Sequence, residues 1–333
     1  MEDILIIQTA FLGDVVLATS LVEKIHDYYP DARIDFLIRK GYESLFNNHP
    51  KINEVITFDK AKRKLRNLYR LLRELRCKKY DLVINVQRYL TTGLITILSR
   101  SSLRVGFDKN PLSFLFDEKV RHTADGSHEI ARNHKLIEWF TDDKPAKPRL
   151  YPSAVNFENV RQYSEQPYLC VSPASIWYTK QFPEERWVEI INRIKPGCGV
   201  YLLGSKDDYD LCERIRSKLN KKVENLCGKI SLLDTAALMQ HAALNLVNDS
   251  ASMHLASAVN APVSVFYCST VPSFGYGPLS DDAQIVEVDE PLECRPCGIH
   301  GRKSCPKSHF DCAWKIDLQS VLENVEKRLD QIK

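Results

Sequence analysis

Short apolar runs rich in β-branched residues recur along the chain, with stretches of three- and four-residue apolar spacing between them. In the first half the runs are Ile4–Ile7, Ile34–Ile38, Val55–Phe58, Leu82–Val86 and Leu103–Phe107. Continuous apolar strands alternating with helices predict a parallel sheet covered on both faces. Residues 141–167 break the pattern, because "TDDKPAKPRLYPS" and "SEQP" are rich in proline and charge, and they read as a linker. The alternation then restarts. Strands are predicted at Tyr168–Val171, Gly199–Leu203, Val223–Leu226, Leu244–Val247, Val263–Tyr267 and Ile285–Val288. Helices are predicted at Pro183–Ile194, Asp208–Leu219, Leu232–His241 and Ala251–Val259. Residues 316–333 form a clean amphipathic helix, expected to pack back toward the first domain. The fold class is α/β: two Rossmann-like, doubly wound parallel-sheet domains, residues 1–150 and 168–315, facing each other across a cleft. Ligands of such sheets bind at the carboxyl ends of the strands.

Composition adds little until its distribution is considered. The 333 residues are 44% hydrophobic and 27% charged, ordinary for two globular domains. The start "MEDILIIQTAF" is acidic where a secretory signal is basic, and no run approaches a membrane span, so a cytoplasmic protein is expected. Net charge is only +3, yet Asp59–Asp81 holds ten Lys or Arg against three acids. An anionic partner is expected there. Nucleic acid is not, because no aromatic stacking platform accompanies the basic helix. Leu65, Leu68, Leu72 and Leu75 give that helix a packing face, and Lys62, Arg63, Lys64, Arg66 and Arg70 are its candidate acceptor or membrane contacts.

The first strand leads into "QTAFLGDVVLATSLVEKI", a strand–turn–helix in which a phosphate-cradling glycine-rich turn is the usual device. Here Gly13 is followed directly by Asp14, whose charge would repel a phosphate; a plain helix cap is the simplest use for it. In the second domain "VSPASIWYTKQFPEERW" sets hydroxyls and Lys180 before a proline-started helix, which suits a diphosphate as well as it suits a polar loop. "NLVNDSASMHLASAV" ends a strand at Asn248–Asp249, opens a helix with Ser250 and brings His254 one turn in. Asp249 or Ser250 could cap that helix, but a cap does not account for the histidine and the small polar residues beside it. "STVPSFGYGPLS" follows the next strand and forms a stiff turn.

These motifs, in this order and followed by "CRPCG…CP…H…C", resemble the ADP-heptose:lipopolysaccharide heptosyltransferase family, inverting glycosyltransferases of GT-B architecture. The resemblance spans roughly Ile4 to Trp314. It implies an acceptor-binding first domain, with Gly13 and Asp14 at the acceptor and Asp14 as general base. It implies a nucleotide-sugar-binding second domain, with Lys180 neutralising the donor diphosphate, Ser175 helping to hold it, and Asp249, Ser250 and His254 around the donor sugar and phosphates. The chain departs from the family pattern in three places: Ala251 stands where glycine is usual, Phe182 lies two places after the lysine where Trp usually follows it, and the residues around Ile176–Thr179 differ. The helix dipole at the start of the first helix is expected to keep Asp14 ionised at neutral pH.

The implied reaction moves heptose from an ADP-sugar to a lipopolysaccharide core or lipid A precursor at the cytoplasmic face of the inner membrane, with no cofactor required. Another nucleotide sugar or glycan acceptor, or a non-catalytic binding protein, are the alternative readings. Oligomeric state is not readable. "DYD" at Asp208–Asp210 opens a helix, where acids are favourable, and Asp207 or Asp208 is also a candidate for the nucleotide ribose. Cys294, Cys297, Cys305 and Cys312 follow C-x2-C-x7-C-x6-C. Their first pair has zinc-ligand spacing and the second does not, so a structural zinc, free thiols and disulfides all remain open.

Overall fold

The structure, a computed structural model, describes residues 1–61 and 63–331. Lys62, among the predicted acceptor contacts, lies outside the described residues. The chain divides into two units, Met1–Tyr151 and Pro152–Lys333.

Unit 1 runs β1 (Asp3–Gln8), α1 (Leu12–Tyr28), β2 (Arg33–Arg39), β3 (Glu54–Phe58), α2 (Lys64–Lys78), β4 (Leu82–Asn85), α3 (Leu90–Leu98), β5 (Leu103–Phe107), β6 (Glu118–Val120) and α4 (Glu129–His134). Its parallel sheet has the order β3-β2-β1-β4-β5-β6. The direction of winding reverses between β1 and β4, which pair from Ile4–Leu82 to Ile7–Asn85. Ile4–Ile7 are wholly buried because both sheet faces are covered, and burying each such side chain contributes about 1.5–3 kcal/mol. Helix α1 is equally buried: every residue from Val15 to Ile25 is inside. The edge strand β6 carries the sequence EKV, with no apolar run to announce it.

Unit 2 runs α5 (Ala154–Val160), β7 (Tyr168–Ser172), α6 (Glu184–Arg193), β8 (Gly199–Leu202), α7 (Tyr209–Ser217), β9 (Glu224–Asn225), α8 (Leu232–His241), β10 (Leu244–Asn248), α9 (Ala251–Ala258), β11 (Val263–Tyr267), β12 (Ala283–Glu287), α10 (Asp311–Trp314) and α11 (Gln319–Gln331). The sheet order β12-β11-β10-β7-β8-β9 repeats that of unit 1 when the strands are counted from β7. Its reversal falls between β7 and β10, which pair from Leu169–Leu244 to Ser172–Val247.

Two expectations about the ends of this unit change. Part of the predicted linker is a helix, α5, tied to α8 by Asn156 and Asn159, which donate to Asp234 Oδ1 at 2.8 and 3.2 Å. The terminal helix, expected to pack back toward the first domain, buries Val321, Val325 and Leu329 in the hydrophobic core of unit 2. Its apolar stripe is satisfied there, and Asn324 Nδ2 donates to Gln284 Oε1 of β12 at 2.9 Å.

Candidate active site

In unit 1 the chain leaves β1 and turns at Thr9–Phe11 into α1. Phe11 is the N-cap residue and contributes no side-chain cap, so Asp14 sits at the third helical position and is not the cap. Gly13 occupies the position before it. The helix dipole does not by itself set the basicity of Asp14. Burial, with the Glu129 charge at the start of α4 adding to it, raises Asp14 from 3.8 to about 6; the Phe11 backbone N–H and Arg88 pull the other way and lose. The carboxylate is therefore mostly ionised at neutral pH, but far more basic than a solvent-exposed aspartate. No ion pair engages it among the described residues.

Cations surround this turn, and sequence reasoning missed most of them. Lys60 Nζ donates to the Thr9 carbonyl at 2.8 Å, and burial next to Arg39 and Lys64 lowers its pKa to about 8. The Arg39 guanidinium lies 6.0 Å from the centroid of the Phe11 ring. Arg39, Lys60 and Arg88 each stand at or just beyond the carboxyl end of β2, β3 or β4, and that recurrence was the available signal. On α2, Arg63, Lys64, Arg66 and Arg70 are exposed as expected. The packing face is displaced, however. Leu71 and Leu75 are buried and Leu68 and Leu72 partly so, whereas Leu65, expected to pack, is 81% exposed.

In unit 2 the adjacency of β7 and β10 brings together loops far apart in sequence. The loop after β7 carries Lys180, and its ammonium pairs with Asp249 Oδ2, just past β10, at 2.7 Å. Both side chains are largely buried, so Lys180 is not the free cation the sequence suggested but one already held by a carboxylate. Thr270 Oγ1, beyond β11, donates to the same Asp249 oxygen at 2.6 Å. Asn248 pins the loop: its Nδ2 donates to the Pro173 carbonyl at 2.6 Å and its Oδ1 accepts the Phe182 N–H at 3.0 Å. Ser175 is half-buried in this loop, and its carbonyl accepts from Gln181 Nε2 at 2.6 Å.

Ser250 is the N-cap residue of α9, but its side chain makes no cap hydrogen bond, and its buried Oγ has no partner among the described residues. A hydroxyl so placed at a helix N-terminus is available to an anionic ligand. His254 lies one turn further into α9, buried. Asp208 stands apart from this group. Its Oδ2 closes a capping box with Ser205, accepting from the backbone N–H at 2.8 Å and from Oγ at 2.6 Å, which is the helix-start use of an acid.

The cysteine-rich segment braces the lysine loop. Arg295 donates to the Cys268 and Thr270 carbonyls at 2.8 Å each and to Glu287 at 2.6 Å, fixing the segment to the end of β11. Thr179 Oγ1, next to Lys180, accepts the Arg302 N–H at 2.7 Å and the Ser269 hydroxyl at 2.9 Å. Gly301 has φ +76°, and a Cβ there would lie 2.9 Å from Lys180 Cγ. Cys294, Cys297, Cys305 and Cys312 line one cavity of about 270 Å³ with Thr179 and His309. All four are free thiols. Burial pushes Cys312 up to about 12 and raises Cys297 as well. Among the described residues no three His, Cys, Asp or Glu side chains gather as a metal-binding group.

The architecture recurs in solved structures. A glycosyl transferase of family 9 from Veillonella parvula superposes with a TM-score of 0.86 at 20% identity, covering 99% of this chain and 98% of its own. The ADP-heptose LPS heptosyltransferase II of E. coli gives 0.82 at 24% identity, over 100% and 99%. Two parallel six-stranded sheets with flanking helices thus define a GT-B glycosyltransferase fold. Residues 68–304 match the family model for glycosyltransferase family 9 (heptosyltransferase), and the chain belongs to that family. Among curated relatives, lipooligosaccharide heptosyltransferase 2 of Haemophilus influenzae is 27% identical over 310 residues, 86% of this chain and 89% of that protein. Lipopolysaccharide heptosyltransferase 3 of Escherichia coli is 26% identical over 278 residues, 78% and 82% respectively.

Proposed function

We propose that this family 9 glycosyltransferase moves heptose from ADP-heptose to an inner-core lipopolysaccharide acceptor with inversion at the anomeric carbon. The observation that carries the reading, within a chain of this family, is the Lys180–Asp249 pair beside the unpartnered Ser250 hydroxyl.

The acceptor oxygen forms a bond to the anomeric carbon as the bond from that carbon to the diphosphate oxygen breaks, and the acceptor proton passes to Asp14. A carboxylate with a pKa near 6 is ionised at working pH and still a useful base, which is the compromise general-base catalysis requires. On the leaving side, Lys180 and the backbone N–H groups opening α9 meet the charge of the departing ADP. Asp249, itself held by the Thr270 hydroxyl, keeps the ammonium ready, so no side chain must be ordered at that moment. Ser250, His254 and Ser175 contribute to donor binding, and Asp208 to the ribose. The step requires no metal. Arg63, Lys64, Arg66 and Arg70, with Arg39 and Lys60, engage the phosphates and acidic sugars of the acceptor, and the enzyme works as a peripheral protein on the cytoplasmic face of the inner membrane.

Thermal denaturation with a panel of nucleotide sugars tests the donor. A ligand at one hundred times its Kd stabilises by about 2.7 kcal/mol, so ADP-heptose should raise Tm by several degrees and UDP-sugars should not. Equal or greater stabilisation by a different nucleotide sugar would replace the donor assignment.

A further inference from the structure

The carboxyl edge of the unit 1 sheet changes character along its strand order. Beyond β3 and β2 it is cationic, with Lys60, Arg39 and the start of α2. Beyond β1 lies the Asp14 turn. Beyond β4, and along the connection from β5 to β6, the exposed side chains are apolar: Tyr89 is 65% exposed, Leu90 52%, Phe114 69% and Leu115 43%. Single exposed apolar residues are ordinary, but four on two neighbouring turns are not.

The turns are locked together. Asn110, 1% exposed, donates through Nδ2 to the Gln87 carbonyl at 3.0 Å and the Tyr89 carbonyl at 3.2 Å. Its Oδ1 accepts the Leu112 N–H at 3.0 Å. Gly93, in the first turns of α3, makes room for it, since a Cβ there would lie 2.4 Å from Asn110 Oδ1. The apolar side chains are thus presented on a braced scaffold. The surrounding charge is positive: Arg88, Lys109, Lys119 and Arg121 are exposed against Asp108 and Glu118, while Arg104 and Asp117 cancel at 2.7 Å.

We propose that these two turns dock the enzyme on an anionic phospholipid bilayer, inserting Phe114, Leu115, Tyr89 and Leu90 at the headgroup boundary while the flanking cations contact lipid phosphates. The inference rests on the proposed lipid-linked acceptor for its purpose and on the surface itself for its geometry. Apolar insertion combined with attraction of about 1 kcal/mol per cation is what reversible membrane binding takes. Among the described residues no helix is long and apolar enough to cross a membrane, so the contact is docking onto one face. A second copy of the chain fits the surface poorly, because two such rims would set cations against cations.

Flotation with phosphatidylglycerol/phosphatidylethanolamine vesicles tests this, with phosphatidylcholine vesicles as the neutral control. The wild-type protein should float with the anionic vesicles and detach as salt rises. The double variant Phe114→Ser/Leu115→Ser should bind them roughly tenfold more weakly, at unchanged Tm and with unchanged turnover on a deacylated, water-soluble acceptor. Equal flotation of variant and wild type, or no wild-type flotation, would overturn the proposal. So would sedimentation velocity showing a wild-type dimer that the double variant abolishes. Transfer to the soluble acceptor reports on the proposed function alone, so a missing activity with intact, variant-sensitive flotation would discard that reading and leave the docking surface standing.

Discussion

Two strand-to-helix turns, one in each unit, carry an aspartate, and the fold treats them oppositely. At the β1–α1 turn Asp14 has no ion pair among the described residues, lies partly buried, and has a raised pKa. At the β10–α9 turn Asp249 is met by an ammonium at 2.7 Å and a hydroxyl at 2.6 Å. An uncompensated carboxylate is costly to ionise and therefore basic; a compensated one is a fixed anchor. The same residue type, on the same kind of element, is thus left basic in one place and pinned to a cation in the other; under the proposed mechanism the first takes the proton.

The sharpest way to break that contrast is Asp14→Asn. Removing a general base should lower kcat by about 10²–10⁴ while ADP affinity, measured by calorimetry, stays within twofold. Undiminished transfer would make Asp14 a structural acid. Next, Lys180→Ala should lower kcat by about 10²–10³, because the leaving diphosphate loses its cation, and should weaken ADP binding as well. Asp249→Ala should destabilise the fold by about 3–5 kcal/mol in urea titrations, since a largely buried ammonium is left without its partner. The double variant Lys180→Ala/Asp249→Ala should cost less than the two single changes summed.

The contrast also has a pH signature. Asp14 binds its proton more tightly folded, near 6, than unfolded, near 3.8. Stability is therefore lost as pH rises from about 4 to 6, and the full cost is present above that window. Asp14→Asn should be more stable than wild type by about 3 kcal/mol at pH 8, a gain that disappears near pH 4. A gain independent of pH would place the effect elsewhere. The smallest effect concerns the basic helix: Arg63→Glu/Arg66→Glu should raise acceptor KM several-fold, less at high salt, and leave donor KM unchanged. Equal shifts in both would remove these arginines from the acceptor side.

The pattern of apolar runs carried most of the fold, because a parallel strand buried on both faces has to be apolar throughout. Ile4–Ile7 and Leu244–Val247 fall inside observed strands for that reason. Strand β6 escaped because an edge strand needs no apolar run, and α5 escaped because a short helix attached by two asparagines hides well in a proline-rich stretch. The candidate site was legible where chemistry is written in one segment, as at Asp14, Lys180 and Asp249–Ser250. Partnerships across segments were not: nothing in "STVPSFGYGP" says that Thr270 meets Asp249, or that Arg295 lies against the end of β11. The raised basicity of Asp14 was not readable, because the dipole can be counted from sequence, whereas burial and the Glu129 charge are tertiary facts.

The contact between Gly301 and the stem of Lys180 has a consequence for how the surface loop around it can vary. Loops usually accept extra or missing residues freely, but this one is threaded against the lysine with a single hydrogen's clearance. Insertions between Cys297 and Cys305 should therefore be as poorly tolerated as insertions in a core strand, and a scan of that loop should find its permissible length narrow even where its side chains point to water.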